Sequence, residues 1–326
     1  MTTNKISESG IIDKLTSVFS GEGFIDSFTE HDCKGIGDDC AVIGTGDNSA
    51  MVVTTDMLVE DVHFVREAIS AGQLGHKSLA VNLSDVAAMG AAPFASFMSI
   101  SLPKDLDSSW ALDFIEGYKS LSQQHNVLLL GGDTVGGDKI VINVVAVGKL
   151  NKENIKYRTT AQEHDCILVT GSLGESAAGL EIILSKLEDK EDWSTEEQRL
   201  VDMHHTPTPQ IESGVWLGKQ AAVNAMVDIS DGLLNDIKHI TKTFGAKIDA
   251  SRIPTSVDVV TAISGGEDYQ LLVTVKKEQC KQLMQDYLTT FGKPLYKIGH
   301  ISSEAGVEWL GLEPSQLERL KTFSHF

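Results

Sequence analysis

Cysteine is scarce in this chain of 326 residues: there are four, Cys33, Cys40, Cys166 and Cys280, and no C-x-x-C pair. That scatter fits reduced thiols in a cytoplasmic protein better than a disulfide or zinc framework. No apolar run reaches membrane-spanning length, so no membrane partner is expected. The opening "MTTNKISESG" has no basic stretch followed by an apolar one, so no secretion signal is expected either. Basic residues are in deficit: 27 Lys and Arg face 46 Asp and Glu, a net charge of −19. Such a chain repels polyanions, which argues against a nucleic-acid partner. Small phosphorylated ligands stay compatible with it, provided cations stand between them and the carboxylates. Low-complexity tracts and short repeats are absent, as are G-x-x-x-x-G-K-[ST], a kinase-type glycine loop, H-E-x-x-H and G-x-S-x-G. "GQLGHKS" (72–78) only looks like the first of these.

What is present is an ordinary globular composition, 41% hydrophobic and 22% charged, in a chain too long for one core. The polar stretch 151–165 divides it into domains 1–150 and 151–326. β-branched and apolar runs predict strands at 50–56, 94–102, 126–133 and 139–150, then at 166–171, 223–232, 269–275 and 296–300. Helices are expected at 11–19, 72–90 and 107–125, the last opened by Asp107 or Ser108, and then from about Ser176, at about 231–244 and at 277–290. Strands and helices alternate without a strict βαβ rhythm. The expected class is α+β, with a mixed sheet packed with helices in each domain.

Four apolar runs carry acids at one end: Asp56 after "MVVTT", Asp133 after "LLLGG", Asp228 and Asp231 in "AMVDISD", and Asp39 in "GIGDDC", where the acids come first. One acid at a strand end is ordinarily a turn residue. Four such ends raise convergence in a shared crevice as an equal alternative. The helix "GHKSLAVNLSDVAAMGAAP" is apolar nearly all round, and its polar exceptions Ser78, Asn82 and Asp85 share one face. A buried carboxylate there needs a partner, either a salt bridge or a metal ion shared with Asp39, Asp56 and Asp133. Carboxylates at ~4 Å repel by ~4 kcal/mol per pair at an effective dielectric of ~20, so a cluster stays ionised only around cations. Oxygen donors without Cys or His suit Mg²⁺ or Mn²⁺, and Mg²⁺ bridges protein acids to phosphate. Thr54 and Thr55 are either further oxygen ligands or plain strand residues. His63 is a structural histidine or an anion contact, and Arg158 a surface ion pair or a phosphate clamp. "GSLGESAAG" (171–179) reads as a glycine turn rather than an anion site, and "SGGED" (264–268) keeps Glu267 and Asp268 under consideration.

"GIGDDCAV", "TTDMLVEDVHF", "KSLAVNLSDVAAMGAAP", "GGDTVGG", "VDISDGLLNDI" and "SGGEDYQLL" occur in that order. Over about 35–275 the chain thereby resembles the thiamine-monophosphate kinase family of the aminoimidazole ribonucleotide synthetase-like superfamily. The resemblance implies direct transfer of the ATP γ-phosphoryl group to thiamine monophosphate, giving thiamine diphosphate. It implies several Mg²⁺ ions on Asp39, Thr54, Thr55, Asp56, Asp85, Asp133, Asp228 and Asp231, five of them (Asp39, Asp56, Asp85, Asp133, Asp228) catalytic. ATP would meet Gly132, Asp133, Arg158 and Ser230. Thiamine monophosphate would meet His63, Glu267 and, by ring stacking, Phe323. A homodimer built through N-terminal strands is implied as well.

Three departures stand out: "TTAQEHD" after Arg158 in place of a small-residue turn, Gln210 in place of an arginine, and Phe323 in place of a Trp or Tyr. The alternatives are another ATP-using member of the superfamily or a non-catalytic nucleotide or thiamine-phosphate sensor. "MTTNKISESG" lacks the reactive Cys or selenocysteine and Lys pattern of a selenophosphate synthetase, and "SHF" lacks the terminal Cys of a hydrogenase-maturation relative.

Overall fold

The computed structural model describes residues 8–19, 32–46 and 48–321. After a short helix α1 (Glu8–Phe19), the first half builds one six-stranded mixed sheet. Its strands are β1 (Cys33–Lys34), β2 (Ala41–Gly44), β3 (Ser49–Val59), β4 (Ala92–Pro103), β5 (Leu128–Gly137) and β6 (Val141–Asn151), in the order β1-β2-β3-β6-β4-β5. Only β4 and β5 pair in parallel, and helix α3 (Ser108–Gln124) makes the crossover between them. Asp107 caps α3 by accepting from the Ser109 N–H at 2.8 Å.

β3 pairs with β6 along its whole length, from Ser49 opposite Asn151 to Val59 opposite Val141. Side chains alternate along it: Val52, Thr54 and Leu58 are buried, while Thr55 is exposed. Helices α2 (Ala71–Ala88) and α3 pack their apolar residues with the buried face of this sheet, through Leu74, Leu79, Leu83, Phe114 and Leu121. The outer strands leave apolar side chains uncovered: Phe97 of β4, and Leu128, Leu129, Leu130 and Val135 of β5.

The second half repeats the scheme with β7 (Cys166–Val169), β8 (Val223–Ile229), β9 (Gly245–Asp249), β10 (Gln270–Val275), β11 (Tyr296–Ser302) and β12 (Gly306–Leu310), in the order β12-β9-β11-β7-β10-β8. Only β9 and β12 pair in parallel. This sheet is covered on both faces, so β10 is buried at every position and reads as a mostly apolar run, with Gln270 and Thr274 its polar members. One apolar layer includes Leu233 and Ile237 of a helix at Leu233–Ile240, together with Ala262 and Ile263. The other includes Leu217, Leu283 and Tyr287.

α2 joins the two halves. A capping box between Ser70 and Gln73 starts it, and Gly90 at φ +77° turns the chain beyond its end. Ala88 packs into the second sheet's core beside Leu168, Met226 and Leu271. A Cβ on Gly90 would lie 2.9 Å from the Cα of Gly218, so this crossing is tight enough to require glycine. Two helices (Thr195–His205 and Ile211–Gly218) and the short strands β9 and β12 have no counterpart in the pattern of the sequence. Among the described residues, no helix is long and apolar enough to cross a membrane.

Candidate active site

The loop before β2 separates its two adjacent aspartates into different tasks. Asp38 is structural: Oδ2 pairs with Lys34 Nζ at 2.9 Å, and Oδ1 accepts from the Arg158 and Asp39 backbone N–H groups at 3.2 and 3.3 Å. It thereby ties the start of the second half to this loop. Asp39 turns inward. Its side chain is 5% exposed, and its Oδ2 is buried with no hydrogen-bond partner. Among the described residues the Arg158 guanidinium is its one ion-pair partner, at a loose 3.7 Å, and Arg158 Nε donates to the Gly37 carbonyl at 2.9 Å.

More carboxylates gather around Asp39. Asp85, from the polar stripe of α2, accepts the Thr54 hydroxyl at 2.5 Å. Asn82, one turn earlier, accepts from the Asp56 backbone N–H at 3.0 Å. The stripe of α2 is therefore met by β3 rather than by a salt bridge. Asp228, at the end of β8, accepts from Ser84 of α2 at 2.6 Å. Asp231 follows in the turn, and its N–H donates to Asp236 at 3.1 Å. Burial, then the charges of Asp228 and Asp38, hold the Asp39 carboxyl well above the usual range. Burial, then Asp56, Asp228 and Asp39, do the same to Asp85. Burial and Asp231 raise Asp56 to about 6, while Asp228 reaches about 7, by burial and despite its bond from Ser84. Each acid is thus felt by its neighbours as unfavourable charge, which is the condition a cation relieves.

This donor set fits magnesium: all oxygen, buried, mutually repelling, with one orphaned carboxylate oxygen. Among the described residues, no three His, Cys, Asp or Glu side chains converge closely enough to hold an ion by themselves. An ion here would complete its shell with water and phosphate oxygens, the habit of Mg²⁺.

Beside the acids lies a cleft of about 630 Å³. Asp85, Asp231 and Ser230 line its polar end, and Val81, Leu180 and Leu184 its apolar wall. His63 and Glu267 also face it. His63 Nδ1 accepts from the Val59 N–H at 3.0 Å, so Nε2 carries the ring proton. Glu267 sits at φ +62° and Tyr269 at +50°, rare values for residues with a side chain. Their N–H groups donate to the Ser230 and Ile229 carbonyls at 2.7 and 2.9 Å. Burial alone would raise the Glu267 carboxyl, but Lys77, His204 and His63 together hold it below its ordinary value. Asp268 between them caps the "GSLGESAAG" turn, accepting from the Gly174 N–H at 2.7 Å. That turn is indeed filled from within the protein.

Two predicted groups stand apart from the cluster. Thr55 faces away from Thr54 and Asp56, and its hydroxyl accepts from Asn143 Nδ2 at 2.9 Å. Asp133 is exposed inside β5 and is registered through Ser99 and Asn143 to Met57, three strand spacings or roughly 14 Å along the sheet. Gly132 beside it is dictated by packing, since a Cβ there would sit 1.7 Å from the Met98 carbonyl oxygen. Phe323 lies outside the described residues. Gln210 accepts from Lys293 Nζ at 2.8 Å, and the loop after Arg158 is held by Asn224 Nδ2 donating to Asp165 at 2.9 Å. Sequence reasoning missed Lys77, His204 and Asp236; only Asp236, in the same "DISDGLLND" run as Asp228, carried a local signal.

A two-sheet frame with buried acids beside a cleft defines the class. Residues 37–150 match the family model of the AIR synthase related protein N-terminal domain, and residues 162–309 that of its C-terminal domain. The thiamine-monophosphate kinase of Buchnera aphidicola subsp. Schizaphis graminum is 36% identical over 309 residues, spanning 90% of this chain and 92% of its own. That of Bacillus subtilis is 32% identical over 307 residues, spanning 90% and 93%. A solved structure of AaThiL complexed with AMPPCP and TMP aligns over 100% of both chains, with a TM-score of 0.84 and 30% identity. The chain belongs to the thiamine-monophosphate kinase family.

Proposed function

We infer that this protein transfers the γ-phosphoryl group of ATP to the phosphate of thiamine monophosphate, giving thiamine diphosphate. The observation that carries the reading is the acid group Asp39, Asp56, Asp85 and Asp228, with an orphaned oxygen on Asp39, of which Asp56 and Asp85 open onto the cleft. Donor and acceptor are both anions, so the chemistry is mostly charge cancellation and in-line positioning. Magnesium, when bound by Asp39, Thr54, Asp56, Asp85, Asp228 and Asp231, supplies the positive charge between them. Arg158 adds a guanidinium on the Asp39 side, and Ser230 a hydroxyl beside Asp231 for the nucleotide phosphates. The His63 Nε2–H and the Glu267 carboxylate orient thiamine monophosphate from the facing side of the cleft. The attacking phosphate oxygen is already deprotonated at neutral pH, so a general base is not required.

The reading extends to a cytoplasmic homodimer in which 1–150 is the metal-, nucleotide- and partner-binding domain and 151–326 the second domain. The uncovered Phe97, Leu128, Leu129, Leu130 and Val135 favour a second copy on β4 and β5, since a monomer rarely leaves such a patch open. Thr55, Gly132 and Asp133 lie on these outer strands or toward that open side, where a second copy would approach them. The test is an assay of purified protein with ATP, Mg²⁺ and thiamine monophosphate. Thiamine diphosphate is expected only when all three are present, with free thiamine inert. Equal product with Mg²⁺ chelated overturns the reading.

A further inference from the structure

We propose that Lys77 and His204 are positioning residues for the acceptor substrate: Lys77, braced by His204, holds one oxygen of Glu267 inside the protein so that its other oxygen is presented to the cleft at a fixed place. The proposal rests on the kinase reading above and adds two residues that it leaves unused.

Lys77 is fully buried in α2. An ammonium without water needs a counter-charge, and its Nζ lies 2.8 Å from Glu267 Oε2 and 3.3 Å from His204 Nε2. Lysine only donates, so His204 Nε2 is an acceptor and the ring proton sits on Nδ1. Nδ1 in turn lies 3.2 Å from the same Glu267 Oε2 and 3.0 Å from the Ser176 hydroxyl. Burial and the neighbouring Lys77 push His204 down to about 3, so the ring is neutral and the charge pair is Lys77 with Glu267. Lys77 is therefore the donor that holds Oε2, the His204 ring is fixed beside it by Lys77 and Ser176, and Oε1 is left as the oxygen for a ligand.

The arrangement is one-sided. Lys77 is closed in and His204, although part of the cleft wall, is only 5% exposed, whereas the Glu267 side chain is 26% exposed and lines the cleft together with His63. A buried ion pair rarely adds stability over an apolar pair of the same shape. A carboxylate locked at one oxygen and open at the other is instead the form of a ligand-facing group with its supporting shell. The backbone is held to the same end: Glu267 keeps its positive φ and is pinned to the Ser230 carbonyl, next to the predicted nucleotide and metal residues.

The experiment compares Lys77→Met, His204→Gln, Glu267→Gln and the Lys77→Met/Glu267→Gln pair in steady-state kinetics with both substrates varied. Lys77→Met should raise KM for thiamine monophosphate about 10-fold or more, with KM for ATP within about twofold. His204→Gln should shift the same constant in the same direction by a smaller factor. Because Lys77 acts only through Glu267, the double variant should match Glu267→Gln alone. It removes both charges together, so it remains informative even if Lys77→Met strands a carboxylate and fails to fold. An acceptor KM unchanged in Lys77→Met, a parallel rise in KM for ATP, or a double variant clearly worse than Glu267→Gln overturns the proposal. Failure of the kinase reading shows itself separately, as absence of thiamine diphosphate with the unaltered protein.

Discussion

Asp85→Asn separates the two costs carried by the acid cluster. The amide keeps the shape, and its oxygen can still accept the Thr54 hydroxyl now held at 2.5 Å, so packing and hydrogen bonding survive. What disappears is one buried charge that Asp56, Asp228 and Asp39 all oppose. A full pair of unit charges is worth ~4 kcal/mol at ~4 Å and an effective dielectric of ~20. Because burial already holds these carboxyls above their ordinary range, only part of that repulsion is expressed, and its release adds about 1–3 kcal/mol of stability in metal-free protein. For a chain of this size that corresponds to a rise in Tm of a few degrees, roughly 2–4 °C per kcal/mol. Turnover should fall by two orders of magnitude or more, and the stabilisation by Mg²⁺ should shrink, because a ligand that binds only the folded form has lost an anchor. The assays are thermal unfolding in EDTA and in excess Mg²⁺, beside steady-state turnover. A variant less stable than the parent in EDTA, or one that keeps full activity, refutes the account of Asp85 as a charge held for a cation.

The remaining predictions use the same physics. Asp56 and Asp228 titrate at about 6 and about 7 in the folded protein, above the value of 3.8 for an unperturbed Asp, so the folded form binds protons that the unfolded chain has released. Their contribution to metal-free stability is therefore lost as pH rises from about 4 to 7. Urea midpoints in EDTA should fall across that window, and a flat or rising profile contradicts it. Phe97→Glu should convert the proposed dimer to monomer in sedimentation with little change in far-UV circular dichroism; a dimer that persists removes β4 from the proposed interface. Gly132→Ala forces a Cβ onto the Met98 carbonyl and should cost ~2 kcal/mol or more, read as a lowered Tm; unaltered stability would show that β5 shifts freely.

The clustered acids were legible because a strand end or a buried helix has no local use for them. Asp85 interrupts an apolar helix and Asp228 an apolar strand, and each interruption asks for a partner that the local pattern cannot supply. The two sheets were legible for the converse reason: β3, β4, β6, β8 and β10 are long enough for β-branched runs to declare themselves. β9 and β12 have five residues each and were not. Nor were the helices at Thr195–His205 and Ile211–Gly218, which flank a Thr-Pro-Thr-Pro segment that reads as loop.

Lys77 was invisible on different grounds. A single lysine in a helix ordinarily reaches water, and nothing within a few residues says that this one is fully buried. Its partners stand 127 and 190 positions away, at His204 and Glu267, and they meet only because α2 crosses from one sheet to the other. Asp38 and Asp39 differ in the same way. As neighbours in sequence they are equivalent, and only the approach of the Arg158 backbone commits the first to holding the loop and turns the second toward the acids. Sequence exposes the charges that a local element cannot tolerate, whereas tertiary contact decides which of them stay unpaired. Among the described acids, the buried oxygen left without a partner is Asp39 Oδ2, the one that the proposed magnesium site would satisfy.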